Sequence, residues 1–340
     1  MLKPMKNTVK SLIRSVVCSL KYDRFRSVLA KAPENYMHVF DDPSVREKYV
    51  TGRRGLSAAL WDIEPGPEGQ VTLRGVDCLE LAERYGTPLY VVDRARLQRN
   101  YAEFHESFRR TYPHVCVAYS YKTNPLPGVL MALHEFGADA EVVSGFELWL
   151  ALRLGVSPDR IVYNGPGKTP EDLELAVSRN VKLINIDGES EIGLIDRLAR
   201  KYGTRQQVGV RVVTSVGWQG KFGFPIATGD AFEAYRRLKG SKNVLPVGMH
   251  VHIGVGNGGA ADYGRIAREM CGLAKLVEEK LGIVLRFLDF GGGYETAASV
   301  RGYGDLDQKL LKGNLPAQEA KLCRRHSPEK YCEAIVEVLR

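Results

Sequence analysis

The chain has 340 residues, 44% of them hydrophobic and 26% charged, with a formal net charge of +8. That is long enough for one large domain or two ordinary ones with a sizeable core, and no apolar run approaches the roughly 20 residues that a membrane-spanning helix needs. Nucleic acid is not implied either: Lys3, Lys6, Lys10, Arg14, Lys21, Arg24, Arg26 and Lys31 face the single acid Asp23 in residues 1–33, so the basic character belongs to a leader and the remainder is close to neutral.

The leader carries Val9, Leu12, Ile13, Val16, Val17 and Leu20 at helical spacing. Such a basic amphipathic helix packs on its own protein or a partner, lies on a membrane, or serves as a transit signal. Residues 34–70 are turn-rich, with Asp41-Asp42-Pro43 and the cluster from Pro65 to Gly69. A short strand pair is expected at Ala59–Ile63 and Gln70–Arg74, then a helix over Asp77–Tyr85 that Gly86-Thr87-Pro88 stops. The domain division that follows is a helical leader and linker over 1–58, a short β/α segment of a small β region over 59–85, and a main domain over 86–340.

From Leu89 a rhythm sets in. After the apolar run Leu89–Val92 comes a helix over Asp93–Thr111. Strands are expected at Val115–Tyr121, Ala140–Val143, Ile161–Asn164, Leu183–Ile186, Gln207–Val213, Val247–Ile253 and Leu285–Phe290, with helices between them and a closing helix over Pro328–Leu339. Short apolar strands alternating with helices specify a parallel sheet covered by helices. The number of units, and the lack of a nucleotide-type Gly-x-Gly-x-x-Gly turn, favour a (β/α)8-type barrel with seven of its eight strands. Cys18, Cys78, Cys116, Cys271, Cys323 and Cys332 have neither metal-ligand spacing nor the density of a disulfide scaffold. Reduced thiols, no bound metal and a cytoplasmic location are the expectation.

Barrel chemistry lies at the C-terminal ends of the strands, so the residues there are the candidates. The first strand runs into Tyr121-Lys122-Thr123-Asn124. A lysine buried at an apolar strand end is driven towards its neutral, nucleophilic form, as a Schiff base with an aldehyde cofactor requires; the alternative is a lysine that reaches solvent past the strand. The sixth strand ends His250-Val251-His252-Ile253-Gly254. Its two histidines point the same way from a strand and stack on an aromatic cofactor, bind metal without an evident third ligand, or fill the core. The seventh ends Asp289-Phe290-Gly291-Gly292-Gly293, a tight turn whose bare amides can wrap a phosphate.

Together, in this order, these segments resemble the pyridoxal-phosphate-dependent decarboxylases of the diaminopimelate and ornithine decarboxylase group, which share a barrel with alanine racemase. The resemblance runs from about Leu60 to Arg340 and includes Gly86-Thr87-Pro88-Leu89-Tyr90-Val91, Val142 to Leu148 and Lys221-Phe222-Gly223. It implies pyridoxal 5'-phosphate as cofactor, held through a Schiff base on Lys122. His252 would stack on its ring, and Gly291, Gly292 and Gly293 would bind its phosphate. Glu141, Arg211 and Gly254 would lie near it, Glu141 and Arg211 alternatively serving as ion-pair residues of the barrel mouth. It implies decarboxylation of an amino acid, diaminopimelate first and ornithine or lysine behind it; a racemase fits the motifs less well.

Two positions depart from the pattern. Val255 stands where the family has a phosphate-binding serine, with Gly256, Asn257 and Gly258 after it, and no Glu-Pro-Gly-Arg motif follows Tyr294. The resemblance therefore implies a chain without its C-terminal part, poorly active alone and prone to association. It would act as a homodimer, pair with a C-terminal half, or serve as a silent cofactor-binding or regulatory subunit.

Overall fold

The computed structural model describes residues 62–67, 69–217, 222–254, 258–294 and 327–340. The basic leader, residues 59–61 of the expected first strand, Lys221 and Val255 to Asn257 lie outside them. Residues 62–89 belong to one compact unit, and 90–294 with 327–340 to a second.

The first unit holds a three-stranded antiparallel sheet, β1 (Ile63–Pro65), β2 (Val71–Leu73) and β3 (Val76–Asp77). Strand β2 falls within the expected Gln70–Arg74, and β1 begins at Ile63, the last residue of the expected first strand, and runs on to Pro65. The turn between them is closed by Gly66 N–H to Gln70 O at 2.7 Å, which sets Pro65 opposite Val71. Helix α1 (Cys78–Tyr85) follows, begun by Asp77, whose carboxylate accepts the Leu79 N–H at 2.7 Å.

The second unit opens with α2 (Arg94–Arg109), capped by Asp93. Strands and helices then alternate: β4 (Ala118–Ser120), α3 (Pro127–Glu135), β5 (Asp139–Val142), α4 (Gly145–Arg153), β6 (Ile161–Tyr163), α5 (Pro170–Ser178), β7 (Leu183–Ile186), α6 (Glu189–Lys201), β8 (Gln206–Val213), the two-residue β9 (Phe224–Pro225), α7 (Asp230–Gly240), β10 (Val244–His250), α8 (Ala260–Leu281), β11 (Phe287–Asp289) and α9 (Pro328–Leu339). The main sheet has the order β4-β5-β6-β7-β8-β10-β11, parallel throughout, with β9 beside β8. Among the described residues β4 and β11 each have one neighbour, as in a (β/α)8 barrel short of one strand. Every residue of β6 and β7 is buried, because helices cover one face and the barrel interior covers the other. The run Leu89–Val92 forms no strand and is exposed, Tyr90 at 93%.

Register brings the polar strand ends into line. Ser120 is opposite Glu141, and Arg211, His250 and Asp289 form one row across β8, β10 and β11. At this end the loop after β6 is fastened to β7 and α6 by Lys168, whose fully buried ammonium donates to Gly165 O (2.7 Å) on its own loop, Asn185 O (2.8 Å) and Glu191 Oε2 (3.0 Å). Glu191 also accepts the Asp187 N–H at 3.3 Å. Removing one partner of such a pair strands a buried charge. Lys168→Met is therefore expected to cost about 3–5 kcal/mol in chemical denaturation, and pairing it with Glu191→Leu to recover much of that loss; a loss within experimental error would show that the ammonium carries no such role.

Candidate active site

The row on β8, β10 and β11 is built around Asp289. One carboxylate oxygen lies 2.9 Å from His250 Nδ1 and accepts from Asn164 Nδ2 at 3.2 Å; the other accepts the Gly291 N–H at 2.8 Å. Asn185 donates to Asn164 at 2.6 Å and so joins β7 to the cluster. Burial alone would raise the Asp289 carboxyl. The neighbouring imidazole and the hydrogen bonds from His250, Gly291 and Asn164 outweigh it and bring the group to about 2. His250 is thus a core histidine with a fixed partner. Strand β10 ends at His250, though the Val251 N–H still pairs with Asp289 O at 2.9 Å, and His252 lies just beyond the strand, half-buried.

Position 252 is where the site converges. Gly291 has φ +63°, and a Cβ there would lie 2.3 Å from Val251 O and 3.2 Å from His252 Nδ1. Only glycine lets the turn after β11 press so closely on the residues after β10. Gly292 faces open space, and Gly293 has φ +93°. Burial first, then the charges of Lys122, His250 and Arg211, push His252 down to about 4, so its imidazole is neutral at neutral pH. Lys122 also helps to lower Glu147, a group that burial holds above the usual carboxylate range. The charge of Lys122 thus bears both on His252, just past the end of β10, and on Glu147 of α4.

One part of the sequence reasoning needs correction. Lys122 is exposed, not buried. It stands on the turn after β4, a three-residue strand with β5 as its one strand partner among the described residues. Arg211 is buried and paired with Asp187 at 2.9 Å, its guanidinium 5.2 Å from the centre of the Phe222 ring. Glu141 is half-buried beside Glu147, whose pKa its charge raises. Gly254, at φ +88°, leads into residues outside those described. Sequence reading missed Glu147, Asp187 and Lys168. The Ser144-x-x-Glu147 spacing was the available signal for the first: Ser144 accepts the Glu147 N–H, and the Glu147 carboxylate takes the Val143 N–H at 2.8 Å.

Comparison with known proteins fits this geometry. Residues 95–332 match the family of pyridoxal-dependent decarboxylases over its pyridoxal binding domain, and the chain belongs to that family. It is 32% identical to a diaminopimelate decarboxylase of Aquifex aeolicus over 66% of this chain and 55% of that protein. It is 33% identical to one of Methanothermobacter thermautotrophicus over 68% of this chain and 55% of that protein. A crystal structure of diaminopimelate decarboxylase from M. jannaschii with L-lysine aligns at a TM-score of 0.67 and 26% identity, covering 82% of this chain and 62% of that one. The chain spans about half the length of the curated relatives it matches.

Two outcomes follow from the geometry. His252 takes up its proton near 4 when folded and near 6.5 when unfolded. Between those values the unfolded chain binds more protons, so this group's stabilising contribution is complete above 6.5 and is lost as pH falls towards 4. His252→Phe should flatten that part of the stability curve, measured by denaturant midpoints at pH 7 and pH 5; an unchanged slope would remove the effect from His252. At the turn, Gly291→Ala is expected to cost about 1–3 kcal/mol through strain, whereas Gly292→Ala stays near wild type, both read from thermal unfolding.

Proposed function

We propose that the chain forms the cofactor-binding part of a pyridoxal-phosphate-dependent decarboxylase acting on diaminopimelate, with ornithine and lysine as the next candidates. The observation that carries this reading is one convergence: the charge of Lys122, the half-buried neutral imidazole of His252 and the triple-glycine turn meet at one end of the sheet. The residues fit the cofactor. A turn whose Gly291 leaves no room for a Cβ, next to a planar uncharged ring and within the field of an exposed primary amine, offers a place for a phosphate, an aromatic ring and an aldehyde.

In this reading Lys122 supplies the amine that holds the cofactor and later exchanges with the substrate amine. His252 lies against the ring, and its neutrality adds no charge there. Gly292 and Gly293 give the phosphate their amides. Arg211, fixed by Asp187, and Glu141 set the charge around the site, and Gly254 starts the loop beside it. The cofactor, when bound, supplies the electron sink into which the bond to the departing carboxylate collapses. The barrel domain is taken to cover 86–340, with 59–85 part of a separate β region and 1–58 a leader. A cytoplasmic location is part of the same proposal; separately, no helix among the described residues is long and apolar enough to cross a membrane.

A second reading has one observation in its favour. Because β4 and β11 each lack a second neighbour among the described residues, the chain would work as a homodimer, pair with a C-terminal half, or serve as a silent cofactor-binding subunit. The test takes two steps. Adding pyridoxal phosphate should give an absorbance band near the visible edge that borohydride shifts and fixes to the protein, and Lys122→Ala should abolish the fixed adduct while preserving the fold by circular dichroism. Carbon dioxide release from diaminopimelate then separates enzyme from silent binder. Adduct formation that survives loss of Lys122 would overturn the assignment.

A further inference from the structure

The three glycines of the turn after β11 are not equivalent. The Gly291 N–H is already spent on Asp289, at 2.8 Å, and that carboxylate is held in turn by His250 and Asn164. Among the described residues the Gly292 and Gly293 amides have no acceptor. The Gly292 carbonyl, by contrast, accepts a hydrogen bond of 2.9 Å from the Tyr263 hydroxyl.

Tyr263 is placed to hold that carbonyl firmly. It is fully buried on α8, its ring stacked 4.7 Å from that of Tyr294 and edge-on to Tyr331 of α9 at 5.3 Å. The backbone of α9 approaches α8 at the next residue, where a Cβ on Gly264 would lie 3.1 Å from Ala334 O. The phenol is packed by Tyr331 of α9 on one side and by Tyr294, the residue that follows Gly293, on the other. In a trans peptide the carbonyl of one residue and the N–H of the next point in opposite directions. A Gly292 carbonyl fixed towards the α8–α9 layer therefore turns the Gly293 N–H away from that layer. Glycine at both positions leaves this peptide free to rotate, so an external clamp is what decides its orientation.

We propose that Tyr263 is a positioning residue: by holding the Gly292–Gly293 peptide, it presents the Gly293 amide to the phosphate of the cofactor, while Gly291 serves for close approach and gives no amide to the anion. This rests on the pyridoxal-phosphate reading of the site. It makes the turn a two-amide cradle fastened from both sides, by Asp289 at its start and by Tyr263 at its centre.

The test compares two ligands that differ by one group, pyridoxal phosphate and pyridoxal, titrated by absorbance against wild type and Tyr263→Phe. The variant keeps the ring and loses the one hydroxyl. Its affinity for pyridoxal phosphate should fall about tenfold, the size expected of one hydrogen bond, while its affinity for pyridoxal stays within twofold of wild type. An equal loss for both ligands would make Tyr263 a structural residue only, and no loss for either would also overturn the proposal. A wild-type chain that does not prefer pyridoxal phosphate over pyridoxal would sink the cofactor reading together with this one. Should the variant not fold, the wild type with 15N-glycine decides. The amide shift difference between the two ligand complexes is expected at Gly292 and Gly293 and not at Gly291, and the reverse pattern overturns the proposal.

Discussion

Asp289 is the group on which the arrangement of this site depends. A carboxylate largely withdrawn from water at a strand end is costly unless hydrogen bonds engage its oxygens. Here they are used by a histidine from β10, an asparagine from β6 and the backbone amide of the turn that Asp289 itself begins. The bonds convert a half-buried charge into a brace across the sheet. Its cost in burial is more than offset by charge-assisted hydrogen bonds, and its acidity of about 2 is the sign of that balance. With the brace in place the glycine turn is presented to His252 in one geometry.

Much of the fold is legible in the sequence. Leu183–Ile186 is read correctly to the residue, because a strand buried on both faces is a short run dominated by apolar residues, here interrupted only by Asn185, whose amide is hydrogen-bonded to Asn164. The helices are marked by their caps: Thr169-Pro170 opens α5, with Asp172 completing a reciprocal capping box. Strand ends are less legible. Val251 and Ile253 read as a continuation of β10, yet the strand stops at His250 with one last bond from the Val251 N–H to Asp289 O, and nothing in a run of apolar residues records where pairing to a neighbour ceases.

The site divides along the same line. The glycine turn and Lys122 are visible because their residue types are unusual at strand ends. The exposure of Lys122 is not visible, since it depends on what neighbours β4, a fact of topology and not of local pattern. Partnerships across the sheet are equally hidden. Asp187 and Arg211 are 24 residues apart, and Lys168 reads as one more lysine in a Gly-Pro-rich loop although its ammonium is wholly enclosed. Long-range pairing of charges leaves no periodic trace. Glu147 lies between these cases, detectable through its spacing from Ser144, though its carboxylate turns out to serve the Val143 amide.

The enclosed ammonium of Lys168 has a bearing on how molecules get in and out. Because it ties Gly165, Asn185 and Glu191 to a single point, the crossovers after β6 and β7 cannot swing outward one at a time. That flank of the mouth behaves as a rigid jamb. On the opposite flank stand the short strands β4 and β11, each with a single neighbour among the described residues, and the exposed amine at position 122.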